Sequence, residues 1–278
     1  MKGKIRLGSI FITTVMATVL TLFSGAGAEA AARTCGSKAL AHRGATSGSV
    51  DENTLKAAER AHRLGAWVEG DVFLTRDKGF VIIHNRSLRH TTNCTGFVTN
   101  RTLADIQRHC HTTPNHLGIP SALGLFKKVA HNRGQVLNLE VKGPGWFANN
   151  NRALKRLRNA ALAAGALNRV FFSNDATYRL LTALHQSAPN AKTAWKPDPG
   201  ERRFTPRHAR QLSADAVMAR TGQWSSRQKV RSFHRAGLRI WGRLSDNKQT
   251  WKRNWRLGVN AQLTNRAGDF RTWCRRVV

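Results

Sequence analysis

Short apolar runs alternate with longer stretches of helical period, the runs number close to eight, and charged or imidazole residues stand at the ends of several of them. Together these three observations predict an α/β fold of the TIM (β/α)8 type, a parallel barrel ringed by helices. The first run, 39–41, leads into His42-Arg43-Gly44. Residues 52–64 then read as a helix, because Leu55, Ala58, Ala61 and His62 share one face and Gly65 stands where a helix stops. Runs at 66–68 and 80–83 lead into Glu69-Gly70-Asp71 and His84-Asn85, and a run at 136–139 leads into Glu140-Val141-Lys142. Further strands at 171–173, 191–195, 214–218, 238–242 and 258–264 alternate with helices at 153–164, 177–186, 206–212, 225–236 and 248–257. Thr205 reads as an N-cap there, with Pro206 at the first helical position. Nine strands are thus predicted for the eight places of a barrel, so one is a hairpin arm, a rim strand or a misreading. The link at 75–79 is too short to hold a helix. An open doubly wound sheet is the alternative, but its Gly-rich dinucleotide fingerprint is absent.

The polar stretch 85–133 breaks the alternation. It is rich in Thr, Asn, His and Arg, with helical hints at 103–109 and 123–130, and is read as a capping insertion after the third strand, lying over the barrel mouth. At the other extreme, Lys2, Lys4 and Arg6 precede an apolar run that ends near Phe23, and Ala28-Glu29-Ala30 forms a small-residue cleavage pattern. The run falls short of the roughly 20 residues of a membrane span. Residues 1–30 are therefore read as a secretory signal and 31–278 as the catalytic barrel, secreted and monomeric.

Export changes how the cysteines read. Cys35, Cys94, Cys110 and Cys274 form an even set in an oxidising compartment, which implies two disulfides. Three pairings are open. Cys94–Cys110, closing a polar loop, and Cys35–Cys274, joining the chain ends, are favoured. The formal net charge of +31 favours encounter with polyanions such as an anionic membrane or a phosphate-containing cell-wall polymer. No RNP-like motif, zinc knuckle or basic tail points to a specific nucleic-acid partner. A basic surface serving solubility explains the number as well.

The strand ends carry the chemistry. Glu69 and Asp71 lie two apart on a strand and share a face; with Glu140 they offer the hard oxygen ligands that Ca²⁺ and Mg²⁺ prefer. His42 and His84 each follow an apolar run and suit proton removal and proton delivery at a phosphodiester, since imidazole titrates near ~6.5. Arg43 and Lys142 suit non-bridging phosphate oxygens. Taken singly, each of these residues is more simply a cap, a surface group or an ion-pair partner; the ordered set is what points to a site.

The stretches His42-Arg43-Gly44, Glu52-Asn53-Thr54-Leu55, Leu64 to Val72, Leu74 to Gly79 and Val81 to His84 resemble the opening of the glycerophosphodiester phosphodiesterase family. Leu139-Glu140-Val141-Lys142 resembles its Glu-x-Lys strand, and Phe172-Ser173, Ile240-Trp241 and Leu263 to Arg266 resemble its later strand ends. The resemblance implies a TIM-type barrel and a divalent metal, Ca²⁺ or Mg²⁺, on Glu69, Asp71 and Glu140. It also implies catalysis by His42 and His84, phosphate contacts from Arg43 and Lys142, an orienting role for Glu52, and an apolar wall from Trp241 against glycerol. The substrate it implies is a glycerophosphodiester or a glycerophosphate polymer. Asn85, His90, Gly242-Arg243 and Asn265 depart from the family pattern, at positions that bear on substrate choice. The competing readings are a related lipid-headgroup phospholipase, of the sphingomyelinase D or phosphoinositide phospholipase C kind, and a non-catalytic polyanion-binding module.

Overall fold

The computed structural model describes residues 35–143, 150–174 and 179–277. The signal-like segment 1–30 and the first residues of the helix expected at 177–186 lie outside the described residues.

Eight parallel strands close a ring: β1 (Lys38–Ala41), β2 (Trp67–Leu74), β4 (Leu137–Val141), β5 (Val170–Ser173), β6 (Lys192–Trp195), β7 (Ala216–Ala219), β8 (Arg239–Gly242) and β9 (Ala261–Thr264), with β9 returning to β1. The ninth strand, β3 (Phe80–Ile82), runs antiparallel to β2. It is the hairpin arm that the short 75–79 link required. β2 is eight residues long, and its pairing with β1 is at its first two residues, Trp67 and Val68. Its upper half would be unpaired on that side, and β3 takes the place by pairing with Val72, Phe73 and Leu74.

Helices α1 (Leu55–Arg63), α3 (Ala122–His131), α4 (Asn151–Ala163), α5 (Arg179–Ser187), α6 (Pro206–Gln211), α7 (Arg227–Arg235), α8 (Lys248–Leu257) and α9 (Ala267–Arg276) accompany the strands, and α2 (Leu103–His109) lies in the segment after β3. Their starts follow from local chemistry. Thr54, Ser121, Asn150, Thr205, Ser226 and Asn247 each accept a hydrogen bond from a first-turn backbone N–H. Pro206 stands at the first turn of α6 as expected.

Four expectations shift. The strand expected at 66–68 runs on to Leu74, so Glu69 and Asp71 stand within it and not beyond its end. The strand expected from 258 begins at Ala261, because Gly258 takes a left-handed φ of 92° and caps α8. The last third of the expected cap is α3, whose Ala122, Leu125, Phe126 and Val129 are buried and which packs against α1 and α4; it belongs to the helix layer. Helix α9, amphipathic through Ala267, Phe270 and Cys274, was not expected.

Inside the barrel, side chains of alternate residues form a packed floor. Trp241 meets Phe171 edge-on at 5.0 Å and Trp67 at 6.2 Å, with Leu40, Ala194, Ala216, Met218 and Leu263 around them. Both favoured disulfides are present. Cys35–Cys274 ties the segment before β1 to α9, and Cys94–Cys110 closes the loop that carries α2, with Cα atoms 5.6 and 5.5 Å apart respectively. That loop is anchored independently. The Asp51 carboxylate accepts from the Thr112 hydroxyl at 2.6 Å, the Asn115 backbone N–H at 3.1 Å and the Asn115 amide at 2.7 Å.

Cys94 and Cys110 are 16 residues apart in sequence, a loop size at which cross-linking is worth about 3 kcal/mol. The double variant C94S/C110S is expected to melt roughly 6–12 °C below the parent. A drop under ~2 °C in a melting curve would show that the Asp51 contacts alone hold the loop.

Candidate active site

The three acidic groups converge. Glu69, Asp71 and Glu140 are all buried, and their candidate ligand oxygens lie within 4.8 Å of one another. Register explains it. Asp71 pairs with Glu140 across β2 and β4, and Glu69 precedes Asp71 by one full alternation, so all three point into the barrel.

Unbalanced, such a cluster is costly. Burial first, then the neighbouring Asp71 carboxylate, push the Glu69 carboxyl well above its ordinary range; Lys196 and the Arg43 backbone N–H oppose the rise. That N–H donates to Glu69 Oε2 at 2.8 Å, which requires Arg43 to adopt a left-handed φ of 56°. Asn53, at φ 55°, donates its side-chain amide to Asp71 Oδ2 at 2.9 Å and accepts from the Asp71 N–H at 3.1 Å. Gly44 completes the turn: a Cβ there would lie 2.6 Å from that of Ala57.

Cations surround the cluster. The Arg43 guanidinium donates to both oxygens of Glu52, at 3.1 and 2.9 Å, and its Nε lies 3.7 Å from Asp71. Lys142 Nζ pairs with Glu140 and lies 3.5 Å from Asp71. Lys196, just past β6 and 4% exposed, pairs with the other Glu140 oxygen.

His42 stands at the end of β1, where its Nδ1 is 2.7 Å from Asn265 Oδ1. The Asn265 amide orientation is fixed from behind. Its Nδ2 donates to Asp246 Oδ2 and its backbone N–H to Asp246 Oδ1, both at 2.8 Å, while the Thr264 hydroxyl donates to Oδ1 at 2.7 Å. With Nδ2 spent on a carboxylate, Oδ1 faces the imidazole, so His42 carries its proton on Nδ1 and leaves Nε2 as an acceptor. Burial lowers the His42 pKa first; the Asn265 hydrogen bond raises it and the Arg43 charge lowers it further. The neutral ring is the resting form near neutrality.

His84 reaches the mouth by the hairpin. Ile83 N–H donates to the Asp71 carbonyl at 3.0 Å, which brings the following His84 to the level of the carboxylates, and its Nδ1 lies 3.2 Å from Asn85 Oδ1.

The sequence-based set is therefore gathered at one end of the barrel, with one correction. Trp241 is fully buried in the floor against Phe171 and Trp67, so it supports the site from beneath and is not a wall exposed to glycerol. Sequence reasoning missed Lys196, Asn53, Asp246 and the role of Asn265. Lys196 occupies the inward alternation of β6, two residues past the interior Ala194, and that parity was its only sequence signal.

A parallel TIM barrel whose mouth carries a buried acidic cluster that could hold a divalent cation, with imidazoles and a guanidinium at the same end, is an arrangement suited to phosphoesters. The Glycerophosphoryl diester phosphodiesterase family profile matches residues 42–269, and the chain belongs to that family. It is 47% identical over 70 residues to a glycerophosphodiester phosphodiesterase of Caldanaerobacter subterraneus, an alignment spanning 25% of this chain and 28% of that enzyme's length. In fold it is similar to a glycerophosphodiester phosphodiesterase from Parabacteroides distasonis, at TM-score 0.74 and 17% identity over 87% of this chain and 98% of the other. It is also similar to an Oleispira antarctica phosphodiesterase in complex with the product sn-glycerol-3-phosphate, at TM-score 0.69 and 20% identity, covering 85% and 96%.

Two predictions follow from the electrostatics. Because Glu69 holds its proton above the ordinary carboxylate range, a divalent ion taken up by the cluster would displace a proton and bind more strongly as pH rises. Titration calorimetry with Ca²⁺ in two buffers of different ionisation enthalpy should give different heats; E69Q should remove the difference, and equal heats in the parent would contradict the raised value. Removing the Asn265 hydrogen bond leaves burial to lower the His42 pKa further, so N265A should move its titration to lower pH, while the carboxylate of N265D should move it up. NMR titration of the His42 ring checks both signs.

Proposed function

We propose that the chain hydrolyses glycerophosphodiesters to a glycerol phosphate and an alcohol. Glu69, Asp71 and Glu140 hold a divalent ion, Ca²⁺ or Mg²⁺. When bound, that ion supplies charge neutralisation for the phosphodiester and for the charge that develops on it. The observation that carries the reading is the convergence of three buried carboxylates on one point beside an imidazole whose free nitrogen is set by Asn265.

The remaining roles belong to the side chains. His42 Nε2, neutral and unprotonated, takes the proton from the attacking oxygen. That oxygen is the substrate's own glycerol hydroxyl, giving a cyclic phosphate that water later opens, or water directly. His84 delivers a proton to the departing alkoxide. Arg43, held by the Glu52 fork, and Lys142 contact the non-bridging oxygens. A polar cleft of about 270 Å³, lined by Thr46, Ser47, Asp51, Glu52, His90 and Thr112, opens beside Glu52 and suits glycerol hydroxyls. The loop after β3 forms one wall of this cleft, which supports its reading as a cap that shapes substrate choice. The charge and the signal-like segment 1–30 support action outside the cell, after its removal, near an anionic surface.

Incubating the protein with glycerophosphocholine and Ca²⁺ or Mg²⁺, then assaying glycerol 3-phosphate, tests the reading. EDTA should abolish turnover, and H42A and H84A should each lower kcat by about 10²–10⁴. Full activity in either variant, or in EDTA, would refute the mechanism.

A further inference from the structure

Helix surfaces elsewhere in the barrel set opposite charges one turn apart, as in Glu59 with Arg63 and Arg101 with Asp105. α7 and α8 do not. Arg227, Arg231 and Arg235 form a row at intervals of four residues along α7, and Lys248, Lys252 and Arg256 form another along α8; all are exposed. None of them makes an ion pair among the described residues. Acidic groups are scarce here. Asp246 is the only acidic residue between Asp215 and Asp269, and Thr264 and Asn265 occupy its carboxylate. Asp269 itself pairs with Arg266.

Helix stability does not account for the rows. Like charges four residues apart destabilise a helix, and a cation in the first turn opposes its dipole. Arg227 and Lys248 each open their helix, with no acidic residue in either first turn. The rows also adjoin. Arg227 donates through Nε and Nη2 to the Arg256 carbonyl at 3.0 and 2.7 Å, and His234 Nε2 donates to the Gly258 carbonyl at 2.9 Å, which locks the end of α8 against α7. Lys248 marks the other end, beside the mouth. It follows Asn247, the cap of α8, and Asp246, whose carboxylate orients Asn265 against His42. A track of cations thus runs from the mouth along α8 and across to α7, with steps of about 6 Å along each row.

Its chemistry selects among polyanions. Neither helix exposes an aromatic on which a base could stack, since Phe233 and Trp251 are buried and Trp255 is half-buried. The exposed large apolar side chains of the described residues are Phe97, Leu123, Leu162 and Leu244, and none lies on α7 or α8 to enter a lipid layer. The track suits a linear chain of phosphodiesters without bases or acyl chains, whose three-carbon links space the charges at an interval comparable to the helical step.

We propose that the α7–α8 face is a docking surface for a linear glycerophosphate polymer, holding it outside the barrel with the chain leading to the mouth. The proposal rests on the hydrolytic reading above for why a polymer is brought there, but the docking itself is a matter of binding.

The test titrates a labelled glycerophosphate oligomer of defined length with H42A in EDTA, which keeps the oligomer intact. R231Q/R235Q and K248Q/K252Q should each weaken binding about threefold or more, and the four substitutions together about tenfold or more. Raising salt should weaken binding steeply, and less so in the quadruple variant. K127Q/R133Q/R152Q/K155Q removes as much charge from exposed positions on the α3–α4 flank and should bind as the parent does; an equal loss there reduces the effect to net charge and overturns the surface. With His42 intact, the quadruple α7–α8 variant should keep the parent kcat/KM on glycerophosphocholine and lose it on the oligomer. Its melting temperature should be no lower than the parent's, because like-charge rows have been relieved. Phosphatidylglycerol vesicles and single-stranded DNA of equal phosphate number, run in parallel, should be held less tightly than the oligomer; tighter binding of either, or oligomer binding unmoved in the quadruple variant, overturns the proposal. If nothing is hydrolysed, the catalytic reading fails by itself, and the oligomer titrations still decide the docking surface.

Discussion

Three carboxylates held out of water within a few ångströms of one another are the constraint to which the rest of the mouth answers. Isolated, each would cost several kcal/mol to bury ionised, and together they repel. The fold meets this with contacts drawn from four places around the mouth. The Arg43 N–H and guanidinium come from the turn after β1, the Asn53 amide from the segment before α1, Lys142 from just past β4 and Lys196 from just past β6. Both Arg43 and Asn53 adopt left-handed backbone to do so, a conformation that costs of order 1 kcal/mol or more in a residue with a Cβ. Strain at two loop positions joined by the Asn53 N–H to Arg43 carbonyl hydrogen bond, both aimed at the same acidic pair, fits a loop shaped for the site and not for closing the chain.

Strand length does the next share of positioning. Had β2 ended level with β1, Asp71 would project beyond the sheet and the chain would cross to β4 through an ordinary helix. By running on and folding back as β3, it keeps Asp71 within a paired strand and returns the chain, at His84, to the rim above β1. His42, from β1 itself, is fixed from the other direction through Asn265 and Asp246, which belong to the end of β9 and the loop after β8. The two imidazoles thus depend on different parts of the ring, so each can be oriented without moving the other.

Much of this was legible because the relevant signals are local. Apolar runs leading into His42, Glu69, His84 and Glu140 marked the strands, and the surplus strand with its short link implied a hairpin. What escaped was information carried by pairing. Lys196 follows an unremarkable run, and only the register of β6 beside β5 shows that its side chain meets Glu140. Asp246 looks like a loop acid until the fold brings it against Asn265. The family resemblance implies a wall at Trp241, yet alternation places it one layer down, against Trp67 and Phe171. Helix α3 was absorbed into the polar segment before it, since nothing in composition separates a barrel helix from a helix in a cap.

The mouth is also divided by charge in a way the net charge of +31 conceals. Scattered surface charges act over a Debye length of about 8–10 Å and raise the encounter rate of any anion, so they cannot distinguish one phosphodiester from another. Discrimination needs charges fixed at contact range, and that requires the backbone beneath them to be fixed as well. On the β2–β4 side the carboxylates do this by engaging Arg43 and Lys142. On the β7–β8 side no cluster of three acidic groups exists among the described residues, and Gln223, Gln262 and Asn254 fix the main chain through its carbonyl and amide groups. The first arrangement balances buried acidic charge with fixed cations; the second fixes loop backbone with neutral amides.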